Sequence, residues 1–150
     1  MSKPTIISDP YPRSLEVIFE KRKLLKLRKN YKIISPPNKN KKNFYEKNII
    51  NADFIIGQPN LPSKLLKRAL KLKAIFNVES NFMDNMDYEY CFQNGIHVLS
   101  TSPVFAQPVA EMALGLTLSL ARDIHNAHQD FINGKEKYGG EASKKNFLLK

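Results

Sequence analysis

Cysteine is almost absent from this chain of 150 residues: Cys91 stands alone, so no internal disulfide can form. A lone thiol fits a reducing compartment, so a cytoplasmic location is expected, with Cys91 as a small buried side chain. Long apolar runs are missing as well. No stretch of about 18 uninterrupted apolar residues occurs, so no transmembrane helix is expected. The opening MSKPTIISDPYPRS lacks the apolar core of a signal peptide. Glycine is sparse at six residues, and neither G-x-G-x-x-G nor a P-loop occurs in the chain.

Acidic residues are scarce in one region only. From Lys21 to Lys47 there are eleven Lys or Arg against the single acid Glu46, and elsewhere thirteen bases face thirteen acids. The whole net charge of +10 therefore sits in one stretch. Such a patch can attract phosphate backbones. It comes with no zinc-finger spacing and no RNA-binding aromatic motif, so it is read as a solvated lysine-rich face, with no nucleic-acid or membrane partner expected. A hydrophobic share of 42% and a charged share of 25% are those of an ordinary globular protein. The length is enough for one domain with a real core.

What is present is an alternation. Apolar, β-branched runs at Thr5–Ser8, Tyr31–Ile34, Asp53–Ile56, Ala74–Asn77 and Ile96–Leu99 read as strands suited to a buried parallel sheet. Between them lie helical stretches. One starts at Ser14 with Leu15, Ile18, Phe19, Leu25 and Leu27 inward, a weak one covers Asn43 to Asn48, one follows Ser63 to Leu70, and one begins at Asp84 or Asn85. Right-handed crossovers then give an α/β fold, a flavodoxin-like open parallel five-stranded sheet with helices on both faces and a long C-terminal helix. Pro108 suits the first position of that helix. From Val109 to Ala121 only Glu111 is charged, so nearly every side of the helix needs covering by another domain or subunit.

Open parallel sheets bind ligands beyond the carboxyl ends of their strands. The first such loop, SDPYPRS, has no phosphate-cradling glycines, which counts against flavin mononucleotide. The third strand ends IIGQPN without the aspartate of a phospho-accepting receiver. The fourth and fifth loops, NVESNFMDNMD and STSPVFAQPVAE, are polar and form the expected site. Asp84 and Asp87 are read as capping and first-turn carboxylates rather than an acid–base pair. His97, His125 and His128 are read as surface histidines; no metal site and no catalytic residue is assigned within the chain.

The ordered pieces KAIFNV, DNMD, GIHVLSTSP, PVAEMALGLTLSLARD and the later FINGK…YGG…NFLLK resemble the N-terminal, substrate-side domain of the D-isomer-specific 2-hydroxyacid dehydrogenases. The likeness is best over Lys71 to Lys150. It implies a flavodoxin-like substrate-side domain over 1–105, a long crossover and dimerisation helix over 106–134, and a linker over 135–150 toward a Rossmann domain beyond Lys150, whose first strand would begin at NFLLK. It implies a homodimer through the 107–134 helix and NAD or NADP bound mainly by that other domain. Carried over from the family, backbone amides at Glu79, Ser80, Asn81 and Phe82 hold the substrate carboxylate, and Val109 packs near the nicotinamide. Many members have glycines where Ser80 and Phe82 stand. The implied reaction interconverts a 2-oxo acid of the hydroxypyruvate, glyoxylate or 3-phosphohydroxypyruvate class and a D-2-hydroxy acid. Gln58-Pro59-Asn60, lacking an arginine, favours an unphosphorylated substrate. The chain alone is expected to be inactive. The alternative is a non-catalytic interaction module using the basic patch to hold nucleic acid or a partner.

Overall fold

A computed structural model describes residues 3–79 and 81–141. Ser80 and the NFLLK segment therefore lie outside the described residues. The chain divides into two compact units, Met1–Pro103 and Val104–Lys150.

The first unit is built on five parallel strands: β1 (Thr5–Asp9), β2 (Lys32–Ile34), β3 (Phe54–Gly57), β4 (Ala74–Phe76) and β5 (His97–Leu99). Their order is β2-β1-β3-β4-β5, the flavodoxin-like order that the strand–helix rhythm implied. Side chains on a strand alternate between faces. Accordingly Ile7, Ile55 and Ile75 bury into one cluster with Tyr45, Ile49, Leu61, Leu66 and Cys91. Ile6 and Ile56 bury into a second with Leu15, Leu24 and Val78. Burial on both faces is why the inner strands read as unbroken apolar runs rather than alternating ones.

The helices of this unit are α1 (Leu15–Ile18), α2 (Lys21–Asn30), α3 (Lys41–Asn48), α4 (Ser63–Leu66) and α5 (Tyr88–Gln93). The one helix expected after Ser14 is two, separated at Phe19, whose backbone is extended at φ −114°, ψ 136°. The reason is phase. Leu15 and Leu24 both enter the second cluster, yet nine residues along one straight helix would set them about half a turn apart. The break re-aims α2, so Leu24 is buried while Leu25, expected inward, is 59% exposed.

α5 begins at Tyr88, later than Asp84 or Asn85, because those two residues form a turn and tertiary pairing then takes up Met86. Leu61 and Met86 form a parallel bridge. The Leu61 N–H donates to the Asn85 carbonyl at 2.7 Å, and the Asp87 N–H donates to the Leu61 carbonyl at 3.2 Å.

The second unit contains α6 (Ser102–Ala121) from Val104 onward, and α7 (Ile124–Ile132). The long helix starts six residues before Pro108, which lies inside it. Pro103 occupies the first turn, where an N–H is not needed, and is the proline that suits the helix start. Between α6 and α7 the backbone of Asp123 turns left-handed, φ 52°. Along α6 the side chains of Val104, Val109, Met112, Leu114, Leu116, Leu118 and Leu120 are all exposed. By length and a mean hydropathy of 1.4 this helix is apolar enough to cross a membrane. Gln107 and Glu111 interrupt it, joined by a 2.8 Å hydrogen bond.

Candidate functional site

The carboxyl ends of the strands carry the loops. Asp9 ends β1 and Gly57 ends β3, side by side in the parallel register. Gly57 has φ 133°, and a Cβ there would lie 2.0 Å from the Asp9 carbonyl oxygen. Glycine is required at this point because backbone occupies the space a side chain would need.

The loop that follows β4 is held from three directions. Gln58, next after Gly57, accepts at its Oε1 from the Glu79 N–H at 3.0 Å, and its Nε2 lies 3.5 Å from the Asn81 carbonyl. From the β1 side Arg13 pairs with Glu79 at 3.3 Å. From the β5 side the Thr101 hydroxyl reaches the Val78 carbonyl at 3.5 Å. Asn85 adds a staple by donating through Nδ2 to the Pro59 carbonyl at 2.8 Å. Its Oδ1 accepts from the Tyr88 hydroxyl at 3.0 Å.

This geometry bears on the residues expected to bind a carboxylate. The Glu79 N–H is already bonded to Gln58. Asn81 and Phe82 are exposed, and the Phe82 ring stands edge-on to Tyr88 with centroids 5.2 Å apart. The Met83 N–H, next along, donates to the Tyr88 hydroxyl at 3.0 Å. Beneath the loop Asn77 is 2% exposed, and among the described residues neither of its side-chain polar atoms makes a well-formed hydrogen bond, although the Tyr88 hydroxyl lies near enough to interact with it. A buried amide in that state costs free energy comparable to a lost hydrogen bond.

Asp87 is the α5 cap: its Oδ1 accepts from the Tyr90 N–H at 2.9 Å, while its Oδ2 accepts from the Ser63 hydroxyl. The Ser63 hydrogen bond, and then the Tyr90 N–H, hold its carboxyl below the ordinary 3.8. Asp84 is exposed and precedes the helix without capping it. Cys91 is fully buried, and burial together with the Asp87 charge pushes its thiol up to about 11. A thiol so placed is a packing group, not a nucleophile.

Sequence reasoning missed Gln58 and Arg13, which fix the loop. It noted Gln58 only for not being an arginine; its place directly after a strand-ending glycine was the available signal. It also missed the group at the end of β1. There Lys41 Nζ lies 2.6 Å from Asp9 Oδ1, and the buried Tyr45 hydroxyl donates to Asp9 Oδ2 at 3.3 Å. Burial first, then the Asp9 charge, raises the Tyr45 pKa far above its ordinary value.

Val109, expected near a nicotinamide, is 63% exposed on α6. No glycine-rich phosphate loop occurs in the chain to hold the rest of a dinucleotide. Among the described residues no group of three His, Cys, Asp or Glu side chains is placed to hold a metal ion. His97, His125 and His128 are exposed.

No protein-family model and no curated protein matches the chain. Solved structures do. A phosphoglycerate oxidoreductase from Rhizobium etli is 43% identical, with a TM-score of 0.72 over 98% of this chain and 45% of its own. An NADPH-dependent glyoxylate/hydroxypyruvate reductase from Sinorhizobium meliloti, in complex with citrate, is 21% identical, with a TM-score of 0.62 over 99% and 42%. A 2-hydroxyacid dehydrogenase from Ketogulonicigenium vulgare is 20% identical, with a TM-score of 0.66 over 99% and 45%. The chain thus spans under half the length of the proteins it matches, and the two more distant likenesses speak to fold alone.

Proposed function

We propose, from a likeness that identifies the chain with the N-terminal, substrate-side part of the D-isomer-specific 2-hydroxyacid dehydrogenases, that it forms one wall of the active site of an NAD(P)-dependent oxidoreductase. The observation that carries this reading is the 43% identity to the Rhizobium etli phosphoglycerate oxidoreductase over 98% of the chain. The reaction interconverts a 2-oxo acid of the hydroxypyruvate, glyoxylate or 3-phosphohydroxypyruvate class and a D-2-hydroxy acid.

The chain's own part is to bind and orient. Backbone N–H groups of Glu79, Ser80, Asn81 and Phe82 are dipoles of the kind that suits a carboxylate. Gln58, Arg13 and Asn85 support this role by bracing the loop from neighbouring strand ends. The Glu79 N–H becomes available once Gln58 gives it up, so Gln58 sets how many donors the carboxylate meets. A bound nicotinamide would supply the hydride chemistry; Val109 offers it an apolar surface. The exposed leucines of α6 are covered by a second copy of the chain.

Binding and turnover test this separately. Oxalate, a planar mimic of a 2-oxo acid carboxylate, is expected to shift the amide resonances of residues 79–83 saturably in the 150-residue chain. With NADH and hydroxypyruvate the same chain is expected to show no turnover, whereas its fusion at Lys150 to the remaining part of the Rhizobium etli relative is expected to oxidise NADH. NADH oxidation by the chain alone would overturn the division of labour. A folded fusion inert toward hydroxypyruvate, glyoxylate and 3-phosphohydroxypyruvate would overturn the activity.

A further inference from the structure

Asn77 follows β4 directly, and its backbone N–H donates to the Leu99 carbonyl at 2.8 Å, which anchors it at the root of the loop. Its side-chain amide is buried, and among the described residues neither polar atom makes a well-formed hydrogen bond. Burying an amide in that state opposes folding. A leucine of similar size would fill the same space among apolar neighbours without that cost, so stability gives no reason for asparagine here. The Tyr88 hydroxyl lies near enough to interact with the amide.

That hydroxyl is already engaged with the far end of the loop. It accepts from the Met83 N–H at 3.0 Å. Its single proton goes either to the Met83 carbonyl at 2.7 Å or to Asn85 Oδ1 at 3.0 Å. Tyr88 therefore fastens the loop at Met83 as Gln58 fastens it at the Glu79 N–H. Two loop donors are thus turned to side chains of the protein, while the buried amide beneath them goes short.

We infer that Asn77 is a positioning residue for the substrate carboxylate, acting by hydrogen-bond exchange at the Tyr88 oxygen. Asn77 works on the same loop that the proposed function assigns to the carboxylate, so this role rests on that assignment. When an anion draws the Met83 N–H away, Asn77 Nδ2 donates to the Tyr88 oxygen in its place. The bonds balance. The hydroxyl keeps an accepted N–H, the Met83 N–H passes to the carboxylate, and the buried amide gains the bond it lacked. Without Asn77 the half-buried Tyr88 oxygen loses a partner each time the anion binds, which opposes the rearrangement. Asn77 thus favours the rearranged loop over the free one, and a ligand shifts such an equilibrium by its differential affinity for the two.

Oxalate titration of the 150-residue chain, read at the Met83 amide resonance and set beside the thermal midpoint, tests this. In the parent chain the Met83 amide is expected to shift saturably. Asn77→Leu is expected to raise the midpoint of the free chain, to weaken oxalate by about tenfold and to shrink the Met83 shift. Asn77→Ala, which needs no new packing, is expected to weaken oxalate by about as much without raising the midpoint. Tyr88→Phe removes the oxygen at which the exchange occurs. In that background Asn77→Leu is expected to change oxalate affinity by less than about twofold, because the coupling belongs to the pair. Oxalate binding that both Asn77 variants leave intact would overturn the role, and so would an equal loss in the Tyr88→Phe background. A loss of affinity that tracks a lowered midpoint in both variants would overturn it too, since Asn77 would then be a packing residue. A folded parent chain that binds no oxalate would remove the carboxylate assignment itself, so the two failures are told apart.

Discussion

Gly57 shows how one residue ties fold to site. It ends β3 with a backbone angle that side-chain-bearing residues rarely adopt, and the Asp9 carbonyl fills the space where a Cβ would stand. Gly57→Ala therefore combines backbone strain with a backbone clash, and is expected to cost about 3 kcal/mol or more. A lowered urea midpoint with an unchanged slope would check this; an unchanged midpoint would show that the two strand ends can part freely. Gly57 is legible in the sequence as a strand stop. Its closeness to Asp9 is not, because 48 positions of chain separate the two residues and only strand pairing brings them together. The same holds for Gln58, whose meaning depends on the Glu79 N–H that the fold sets beside it.

At the scale of elements, Asp87 and α5 carry a pH dependence. The Asp87 carboxyl in the fold sits below its ordinary 3.8 because the Ser63 hydroxyl and the Tyr90 N–H stabilise the charged form. A lowered folded-state value means that this contribution is fully present above the unfolded value of about 3.8 and is lost as the pH falls through the lower folded one. Asp87→Asn is accordingly expected to lower the thermal midpoint at neutral pH and to narrow its gap to the parent chain as the medium is acidified toward about pH 3. Parallel curves for parent and variant over that range would show that the cap is not the titrating contact. That a carboxylate serves the start of this helix was readable from sequence, but the helix was expected from Asp84 or Asn85, and Asp87 is the residue that caps it. The helix start was not readable, since Asp84 and Asn85 form a turn and the Leu61–Met86 bridge takes up the residue after them. A similar override divides α1 from α2, where burying both Leu15 and Leu24 outweighs helical continuity.

On the scale of the whole molecule, α6 is the unfinished part. Its leucines stand in solvent over a helix that at 20 residues is about 30 Å long, and contiguous apolar surface of that extent is rare on a monomer. Each leucine covered contributes roughly 1–2 kcal/mol. The parent chain is expected to self-associate through α6. Leu116→Lys with Leu120→Lys, one turn apart at 64% and 76% exposure, is expected to give a monomer with an unchanged midpoint for the sheet unit. Sedimentation equilibrium at micromolar concentration decides it, and a parent chain that stays monomeric would overturn the second-copy reading.

By itself the sequence determined the strand–helix alternation, the parallel sheet, the burial of Cys91 and the apolar excess of α6. Each of these follows from local composition and period, which are properties of neighbours along the chain. Only the tertiary structure decided that Gln58 and Arg13 brace the loop meant for a carboxylate, and that Leu24 rather than Leu25 enters the core. Those are relations between strand ends and crossover helices far apart in sequence. Parallel pairing sets the strand ends side by side, and no periodicity in the chain records which loops will then touch.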